Sequence, residues 1–270
     1  MRTYGQTFSE LSRRGRAAVI PFFVIGDPDP ETSFTLVKSA VDAGADVLEL
    51  GVPFSDPIAD GPTIQKADVR ATAGGMNPPR ALDFIRRLRG CCDVPIGLLM
   101  YYNLVYQYGT KRFFSDCREA GVNSVLVADL SIDDAAEVAE PAREAGLDTV
   151  FMATANTDDD RLRLVASKTT GFIYTVSLLG VTGSREKLSG LASDLVKRLK
   201  SITAVPVCVG FGIGKPEHAA AMASAGADGV IIGSRIVSCI EDNLGDAAGM
   251  RRAISGFLRD VRTAMDGAVG

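Results

Sequence analysis

One acidic residue interrupts an apolar segment near the start of the chain. Glu49 stands in the run Val47-Leu48-Glu49-Leu50, which predicts a short strand. Because side chains alternate along a strand, Glu49 would share a face with Val47 and not with the two leucines. Burial there would raise its pKa toward neutrality, which suits a group that both gives and takes a proton. The alternative is a structural carboxylate bonded to neighbouring backbone, and the position favours a functional acid.

The segment that follows, residues 51–62, is long for a loop between a strand and a helix, and it contains two more acids. Its three prolines reduce the freedom of the unfolded chain, so the loop can hold these acids in fixed positions. Asp56 precedes a proline and is expected to form a turn. Asp60 could be a turn former or a second functional acid, and the loop alone leaves both possibilities open.

Glycine-rich segments follow the last two predicted strands. They read Gly210-Phe211-Gly212-Ile213-Gly214 and Gly233-Ser234. Barrel enzymes often bind phosphate between these two loops, through backbone amides and the N-terminus of a short helix that Ser234 could cap. Two tight turns are the structural alternative. A third glycine segment, Gly180-Val181-Thr182-Gly183, follows the sixth predicted strand and could close over a ligand as a lid across 180–190.

Apolar side chains near the predicted strand ends could form the floor of a site for a flat aromatic ligand. They are Phe22, Leu99, Tyr101, Leu126 and Tyr174. No lysine closes a predicted strand at its C-terminal end, which argues against a Schiff-base aldolase. No cluster of His, Asp or Glu has metal-ligand spacing, which argues against a metal-dependent one.

The composition narrows the class of protein. The chain has 270 residues, 46% of them hydrophobic, and a net charge of -4, which argues against nucleic acid or an anionic membrane as partner. Five cysteines without metal-ligand spacing suggest reduced thiols. Because the first residues lack an apolar signal segment, we expect a soluble, cytoplasmic protein.

A weak internal repeat indicates the elements that position these residues. An Ala-Gly-x-Asp/Asn motif precedes an apolar segment at 43–46, 120–123, 145–148 and 225–228. In each copy the glycine would end a helix and a strand would follow. Eight strands are predicted near 19–24, 47–50, 96–100, 124–127, 149–152, 172–176, 207–209 and 229–232. Amphipathic helices alternate with them, so residues 1–270 are predicted to form a single-domain (β/α)8 TIM barrel, with an extra N-terminal helix and extended loops after the second and sixth strands.

The motifs together resemble one known family. The run from Leu48 to Pro57 and its continuation Ala59-Asp60-Gly61-Pro62-Thr63-Ile64-Gln65 is similar to tryptophan synthase alpha subunits, and further matches follow in order along nearly the whole chain. The resemblance implies a lyase of tryptophan biosynthesis that splits indole-3-glycerol phosphate into indole and glyceraldehyde 3-phosphate. It implies no cofactor in this chain, and a pyridoxal-phosphate beta subunit as partner in an αββα complex.

The resemblance also implies a role for individual residues. Glu49 would protonate indole C3 and take the proton of the 3′-hydroxyl, and Asp60 would accept the indole N–H proton. Thr182 would help to hold Asp60. The phosphate would bind the amides of Gly183, Gly212, Gly233 and Ser234. The indole pocket would be lined by Phe22, Leu99, Leu126, Tyr174 and Phe211.

Two departures and several rival functions limit what the resemblance implies. Ser131 and Ala155 stand where the family commonly has proline, and the first lies in a loop near the expected partner. A stand-alone lyase that releases free indole would have the same site. Another phosphate-binding barrel of tryptophan or histidine biosynthesis is a further alternative. A catalytically silent regulatory subunit is also conceivable, but the presence of both Glu49 and Asp60 argues against it.

Overall fold

In the part of the chain that the structure describes, nine parallel strands form one sheet at the centre of the molecule. The computed structural model describes residues 1–176, 185–210 and 212–268, apart from the side chains of 185–189. The strands are β1 (Ala18–Val24), β2 (Leu48–Gly51), β3 (Ile96–Met100), β4 (Ser124–Val127), β5 (Asp148–Thr149), β6 (Phe151–Thr154), β7 (Ile173–Val176), β8 (Val207–Val209) and β9 (Gly229–Ile232). Their order in the sheet is β5-β4-β3-β2-β1-β9-β8-β7-β6.

The two ends of this sheet meet in one stretch of chain. Only Val150 separates β5 from β6, yet β5 pairs with β4 while β6 pairs with β7. Strands in a closed barrel are staggered, so one strand can pair with one neighbour over its first half and with the other over its second. The predicted fifth strand is therefore divided in two, and the prediction of a (β/α)8 barrel is confirmed.

Helices surround the barrel, and some of them begin at a side-chain cap. They are α1 (Tyr4–Arg13), α2 (Pro30–Asp42), α3 (Pro62–Ala73), α4 (Pro78–Arg89), α5 (Tyr102–Tyr108), α6 (Thr110–Ala120), α7 (Ala136–Glu144), α8 (Asp159–Lys168), α9 (Arg185–Ile202), α10 (Pro216–Ser224), α11 (Ser234–Glu241) and α12 (Ala247–Ala268). The side chains of Asp29, Asn77 and Asp158 accept N–H groups in the first turns of α2, α4 and α8.

The repeated Ala-Gly motif ends helices as predicted. Its glycines, Gly44, Gly121, Gly146 and Gly226, have φ angles of 102, 90, 72 and 94°. These angles lie in the left-handed region, which a glycine adopts without the steric penalty of a Cβ atom. Each motif therefore turns the chain from a helix into the next strand.

Helix α1 closes the N-terminal end of the barrel. Tyr4, Phe8 and Leu11 are buried in the same apolar cluster as Ile20, and the Tyr4 ring meets Phe172 edge-on with centroids 5.4 Å apart. The Tyr4 hydroxyl lies 2.8 Å from Oγ of Ser124, the first residue of β4. The predicted extra N-terminal helix is thus present, and it fills the bottom of the barrel.

The strands have one face toward the helices and one toward the barrel interior. Leu48 and Leu50 belong to the outer cluster against the helices, whereas Val47 belongs to the inner one. Glu49 borders a narrow interior void together with Tyr4. The alternation predicted for β2 is confirmed, and it directs the carboxyl of Glu49 into the barrel.

Candidate functional site

A cavity of about 740 Å³ opens at the C-terminal ends of the strands. Most of the predicted site residues lie on its wall, although they come from distant parts of the chain. These are Phe22, Asp60, Leu99, Tyr174, Gly212, Gly233 and Ser234. The wall also includes residues that the sequence did not single out, among them Ile64, Met152, Thr154, Ile213 and Arg235.

Two predicted residues are placed differently, and three others are not described. Glu49 and Leu126 do not line the cavity; they border the narrow void beneath it, and Leu126 is only 3% exposed. Leu126 faces inward on β4, but Ala128, the next residue on that face, is the one that lines the cavity. Thr182, Gly183 and Phe211 lie outside the described residues. Of the predicted lid over 180–190, residues 185–190 belong to α9 and the rest is not described.

The carboxyl of Glu49 is buried without adequate compensation. The residue is 4% exposed and its Oε2 atom has no hydrogen-bond partner among the described residues. Burial raises the pKa of Glu49 to about 8; the Tyr174 hydroxyl opposes this rise and the negative charge of Asp60 adds to it. Glu49 is therefore a neutral acid near pH 7, able to donate a proton.

Tyr174 stands between Glu49 and the cavity. It is a wall residue, and its interaction with the Glu49 carboxyl connects the wall to the buried acid. Its ring needs Gly210 on the neighbouring loop, because a Cβ atom at that position would lie 2.5 Å from Cε1 of Tyr174. Gly210 thus makes room for the tyrosine that adjoins the acid, which is a role separate from phosphate binding.

A tyrosine at the end of β3 holds Asp60 in place. The Tyr101 hydroxyl donates a 2.7 Å hydrogen bond to Oδ2 of Asp60 and accepts one of 3.0 Å from the N–H of Ala59. Its ring stacks on Phe54 with centroids 5.1 Å apart. Burial raises the pKa of Asp60 and the Tyr101 bond lowers it. The sequence predicted Tyr101 only as apolar floor; its polar tip at a strand end was the signal for this second role.

The loop of residues 52–61 is fixed at both ends, with its middle exposed. Ser55, Asp56 and Ile58 are exposed, and the carbonyl of Asp56 accepts the N–H of Ile58 at 2.8 Å, in agreement with the predicted turn. Nε2 of Gln65 donates to the carbonyl of Asp60 at 2.9 Å. Asp60 is thereby positioned by both backbone and side-chain contacts.

Asp68 on α3 is a further buried acid, and the sequence did not identify it. It is 5% exposed and its Oδ2 atom has no hydrogen-bond partner among the described residues. Burial raises the pKa of Asp68 to about 7, with a further rise from the charge of Asp60 and an opposing effect of the Phe54 N–H. Asp68 contacts the loop of residues 52–61 through the N–H of Phe54, and it does not line the cavity.

Part of the cavity wall is formed by the start of a helix. Gly233 and Ser234 lie on the wall and begin α11, whose first N–H groups have no acceptor within the helix and are typical ligands of a phosphate. Gly212 is exposed and has a φ of 47°, and its carbonyl lies 3.3 Å from Nδ1 of His218. Gly212 and Gly233 thus follow the neighbouring strands β8 and β9 and line the same cavity as Asp60.

The described ranges contain neither a metal cluster nor a membrane span. In residues 1–176, 185–210 and 212–268, no group of three or more His, Cys, Asp or Glu side chains could hold a metal ion. Within the same ranges, every helix is too short or too polar to cross a bilayer.

Comparison with known proteins identifies the family. The profile described as "Tryptophan synthase alpha chain" matches residues 8–265. The tryptophan synthase alpha chain of Methanoregula boonei is 42% identical over 262 residues, covering 97% of this chain and 99% of the relative. Among solved structures, tryptophan synthase subunit alpha from Legionella pneumophila has a TM-score of 0.89 with 32% identity, covering 99% of both chains.

A further relative comes from an assembled enzyme. A chain in the crystal structure of the tryptophan synthase complex from Pyrococcus furiosus has a TM-score of 0.82 and 38% identity, covering 93% of this chain and 98% of that chain. Sequence, fold and the resemblance of the motifs agree over nearly the whole length. The chain belongs to the family of tryptophan synthase alpha chains.

Proposed function

We propose that this chain is a carbon–carbon lyase that cleaves indole-3-glycerol phosphate into indole and glyceraldehyde 3-phosphate. One observation carries the proposal above all. A buried neutral acid, Glu49, adjoins a cavity whose wall holds a second carboxyl, Asp60, fixed by a tyrosine. Two carboxyls in contrasting environments suit acid and base roles in one reaction. Membership of the family supports the same conclusion.

The proton transfers follow from these two environments. Protonated Glu49 gives its proton to C3 of the indole ring, and Asp60 accepts the ring N–H proton. The Glu49 carboxylate then removes the proton of the 3′-hydroxyl. The bond between C3 and the carbon that bears this hydroxyl breaks, its electrons return to the ring, and Asp60 returns the N–H proton. Both acids end as they began, which satisfies the proton balance of the cleavage.

Glu49 needs one movement for this chemistry. Its carboxyl lies beneath the cavity, so a change of side-chain rotamer must bring it past Tyr174 to the ring. The absence of a partner for Oε2 makes the buried position easy to leave, since no hydrogen bond to a described residue is lost at that atom.

The rest of the cavity matches the two ends of the substrate. The apolar side chains of Phe22, Leu99 and Ile64 would contact the indole ring. Gly212, Gly233 and Ser234 would bind the phosphate through amides and a hydroxyl. The family pattern assigns Phe211 to the ring, Thr182 to Asp60 and Gly183 to the phosphate.

We further propose that the chain works with a pyridoxal-phosphate beta subunit and needs no cofactor, metal or Schiff base of its own. The Pyrococcus furiosus relative occurs in a tryptophan synthase complex, which supports such a partnership. Exposed apolar side chains on segments that follow strand ends also suit it: Ile58 in the loop after β2 is 79% exposed, and Tyr106 on α5 after β3 is 64% exposed. Because the proposed reaction is a step of tryptophan biosynthesis, we expect the protein to act in the cytoplasm.

Indole release from indole-3-glycerol phosphate tests the proposal, measured alone and against added beta subunit. We expect low activity alone that rises at least about tenfold with partner, because a partner that binds the closed loops shifts their population. High activity from the start with a flat titration would favour the stand-alone lyase. No indole under either condition would contradict the lyase assignment and favour a silent regulatory subunit.

A further inference from the structure

The wall of the cavity has little positive charge for a site that would hold a phosphate ester. The carboxyl of Asp60 lies on the wall, and the whole chain has a net charge of -4. A phosphate dianion would therefore enter a field that is negative on one side. Among the described wall residues, Arg235 has the one cationic side chain.

Arg235 occupies the position where a cation could reach that phosphate. It is the second residue of α11 and directly follows Gly233 and Ser234. Its side chain is half-buried, and Cζ lies 5.4 Å from the centroid of the Phe257 ring on α12. Such a cation–aromatic contact is weak at a partly exposed site, so the guanidinium can leave it for a stronger partner.

The charge of Arg235 is not neutralised within the part of the chain that the structure describes. Two cationic side chains of the neighbouring helix α3 already form ion pairs. Lys66 donates to Glu241 at 2.7 Å, and Arg70 binds Asp27 at 2.6 Å. Arg235, by contrast, makes no ion pair with a described carboxylate, and its one described partner is an uncharged ring.

We propose that Arg235 binds the phosphate of the ligand and sets the preference of this site for phosphate esters. The inference deepens the proposed function and rests on it. A guanidinium presents a planar fork of N–H donors that can bind two phosphate oxygens at once. When the guanidinium turns from the Phe257 ring into the cavity, its positive charge would act on the phosphate. The α11 amides and the Ser234 hydroxyl supply the neutral donors beside it.

Substitutions of Arg235 distinguish the effect of its charge on KM from the effect of its packing against Phe257. Arg235→Met keeps an unbranched apolar stem against Phe257 and removes the charge. We expect KM for indole-3-glycerol phosphate to rise about tenfold or more while kcat stays within about threefold, because phosphate is remote from the broken bond. Arg235→Lys should recover part of the loss. Salt between about 0.05 and about 0.3 M should raise KM of the parent more than that of Arg235→Met.

Two control variants test the alternatives. Arg259→Met, at an exposed position on α12, changes the net charge equally and should leave KM within about twofold. Phe257→Leu removes the aromatic contact but keeps the guanidinium, and KM should not rise. An equal rise in KM for Phe257→Leu and Arg235→Met would show a packing role and overturn the proposal.

A binding measurement distinguishes failure of this inference from failure of the proposed function. Glycerol 3-phosphate and inorganic phosphate should raise the melting temperature of the parent and of Arg259→Met. Arg235→Met should need at least about tenfold more of either ligand for the same rise in melting temperature. This readout needs no lyase activity. Equal protection of Arg235→Met and the parent would overturn the role of Arg235 and leave the lyase proposal standing. If Arg235→Met does not fold, Arg235→Gln and Arg235→Lys decide by the same two measurements.

Discussion

The hydroxyl of Tyr101 binds both Asp60 and the amide of the residue before it, donating to Oδ2 at 2.7 Å and accepting from Ala59 N–H at 3.0 Å. One side chain from the end of β3 thus fixes the carboxyl and the backbone of a loop that belongs to a different βα unit. Because a hydrogen bond to the charged form lowers the pKa of an acid, Tyr101 also favours the carboxylate that the proposed reaction requires.

Tyr101→Phe should lower kcat at least about tenfold, since it removes the hydrogen bond that orients Asp60 and leaves the ring stacked on Phe54. The acid limb of the pH–rate profile should move to higher pH, because the pKa of Asp60 rises without this bond. Tyr108→Phe is the matched control: Tyr108 makes the same 2.7 Å bond to Asp116 away from the cavity. Equal effects of the two substitutions on kcat would contradict the positioning role.

Glu49→Gln should abolish indole release while ligand binding survives. The change is nearly isosteric but removes the proton transfer, which is worth about 10²–10⁴-fold in rate. Steady-state assays with indole-3-glycerol phosphate measure the loss, and thermal protection by glycerol 3-phosphate measures binding. Activity within a few-fold of the parent would end the acid–base assignment.

The value of kcat/KM should fall at alkaline pH. Burial raises the pKa of Glu49 to about 8, and the acid must begin the reaction protonated. Below that pH the proton is in place; above it, kcat/KM should decrease about tenfold per pH unit. A profile that is still rising at about pH 9 would require Glu49 to begin the reaction as a carboxylate.

Asp68→Asn should stabilise the protein in alkaline solution. Burial raises the pKa of Asp68 to about 7 from an unfolded value near 4, so the folded protein binds its proton more tightly. The stabilising contribution is complete below about pH 4 and is lost as the pH rises through about 7. We expect Asp68→Asn to exceed the parent by at least about 1 kcal/mol at about pH 8, and the difference to narrow toward about pH 5.

Denaturant unfolding at several pH values measures this difference. Asp83→Asn, at an exposed position on α4, provides the control and should shift stability by less than about 0.5 kcal/mol at every pH. A constant difference between parent and Asp68→Asn would show that the effect does not come from titration.

A large side chain at Gly233 should raise KM far more than it lowers kcat. A Cβ atom there would lie 3.7 Å from Cδ1 of Phe22, which is ordinary contact, so the fold should tolerate alanine. A larger side chain would extend into the proposed phosphate end. Glycerol 3-phosphate should protect Gly233→Ala more than Gly233→Leu; equal protection would place phosphate elsewhere.

The sequence predicted the barrel because its signals are local. Ala-Gly caps and short apolar strands reflect backbone preferences that tertiary contacts reinforce. Glu49 was also predictable, since alternation along one strand already directs it inward. The division of the fifth strand at Val150 was not, because it depends on the stagger of the closed barrel.

Residues whose roles depend on contacts between distant segments could not be identified in advance. Tyr101 and Asp60 are 41 positions apart, and only the fold brings them together. Asp68 shares the buried face of α3 with Ile64, Ala67 and Ala71, so the helical spacing of these apolar residues was a signal that could have predicted its burial. Leu126 matched the family pattern, yet in the fold it borders the void beneath the cavity, and Ala128 lines the cavity wall.

The closure of the barrel by α1 limits how protons reach Glu49. Tyr4, Phe8 and Leu11 close one end with apolar side chains. Among the described residues, the Glu49 carboxyl therefore reaches bulk water through the cavity at the other end, which a bound substrate would occupy. The proton that Glu49 gives to the ring would then be replaced from the substrate's own hydroxyl, and the hydrogen at C3 of the released indole would keep the isotope that Glu49 held before the substrate bound.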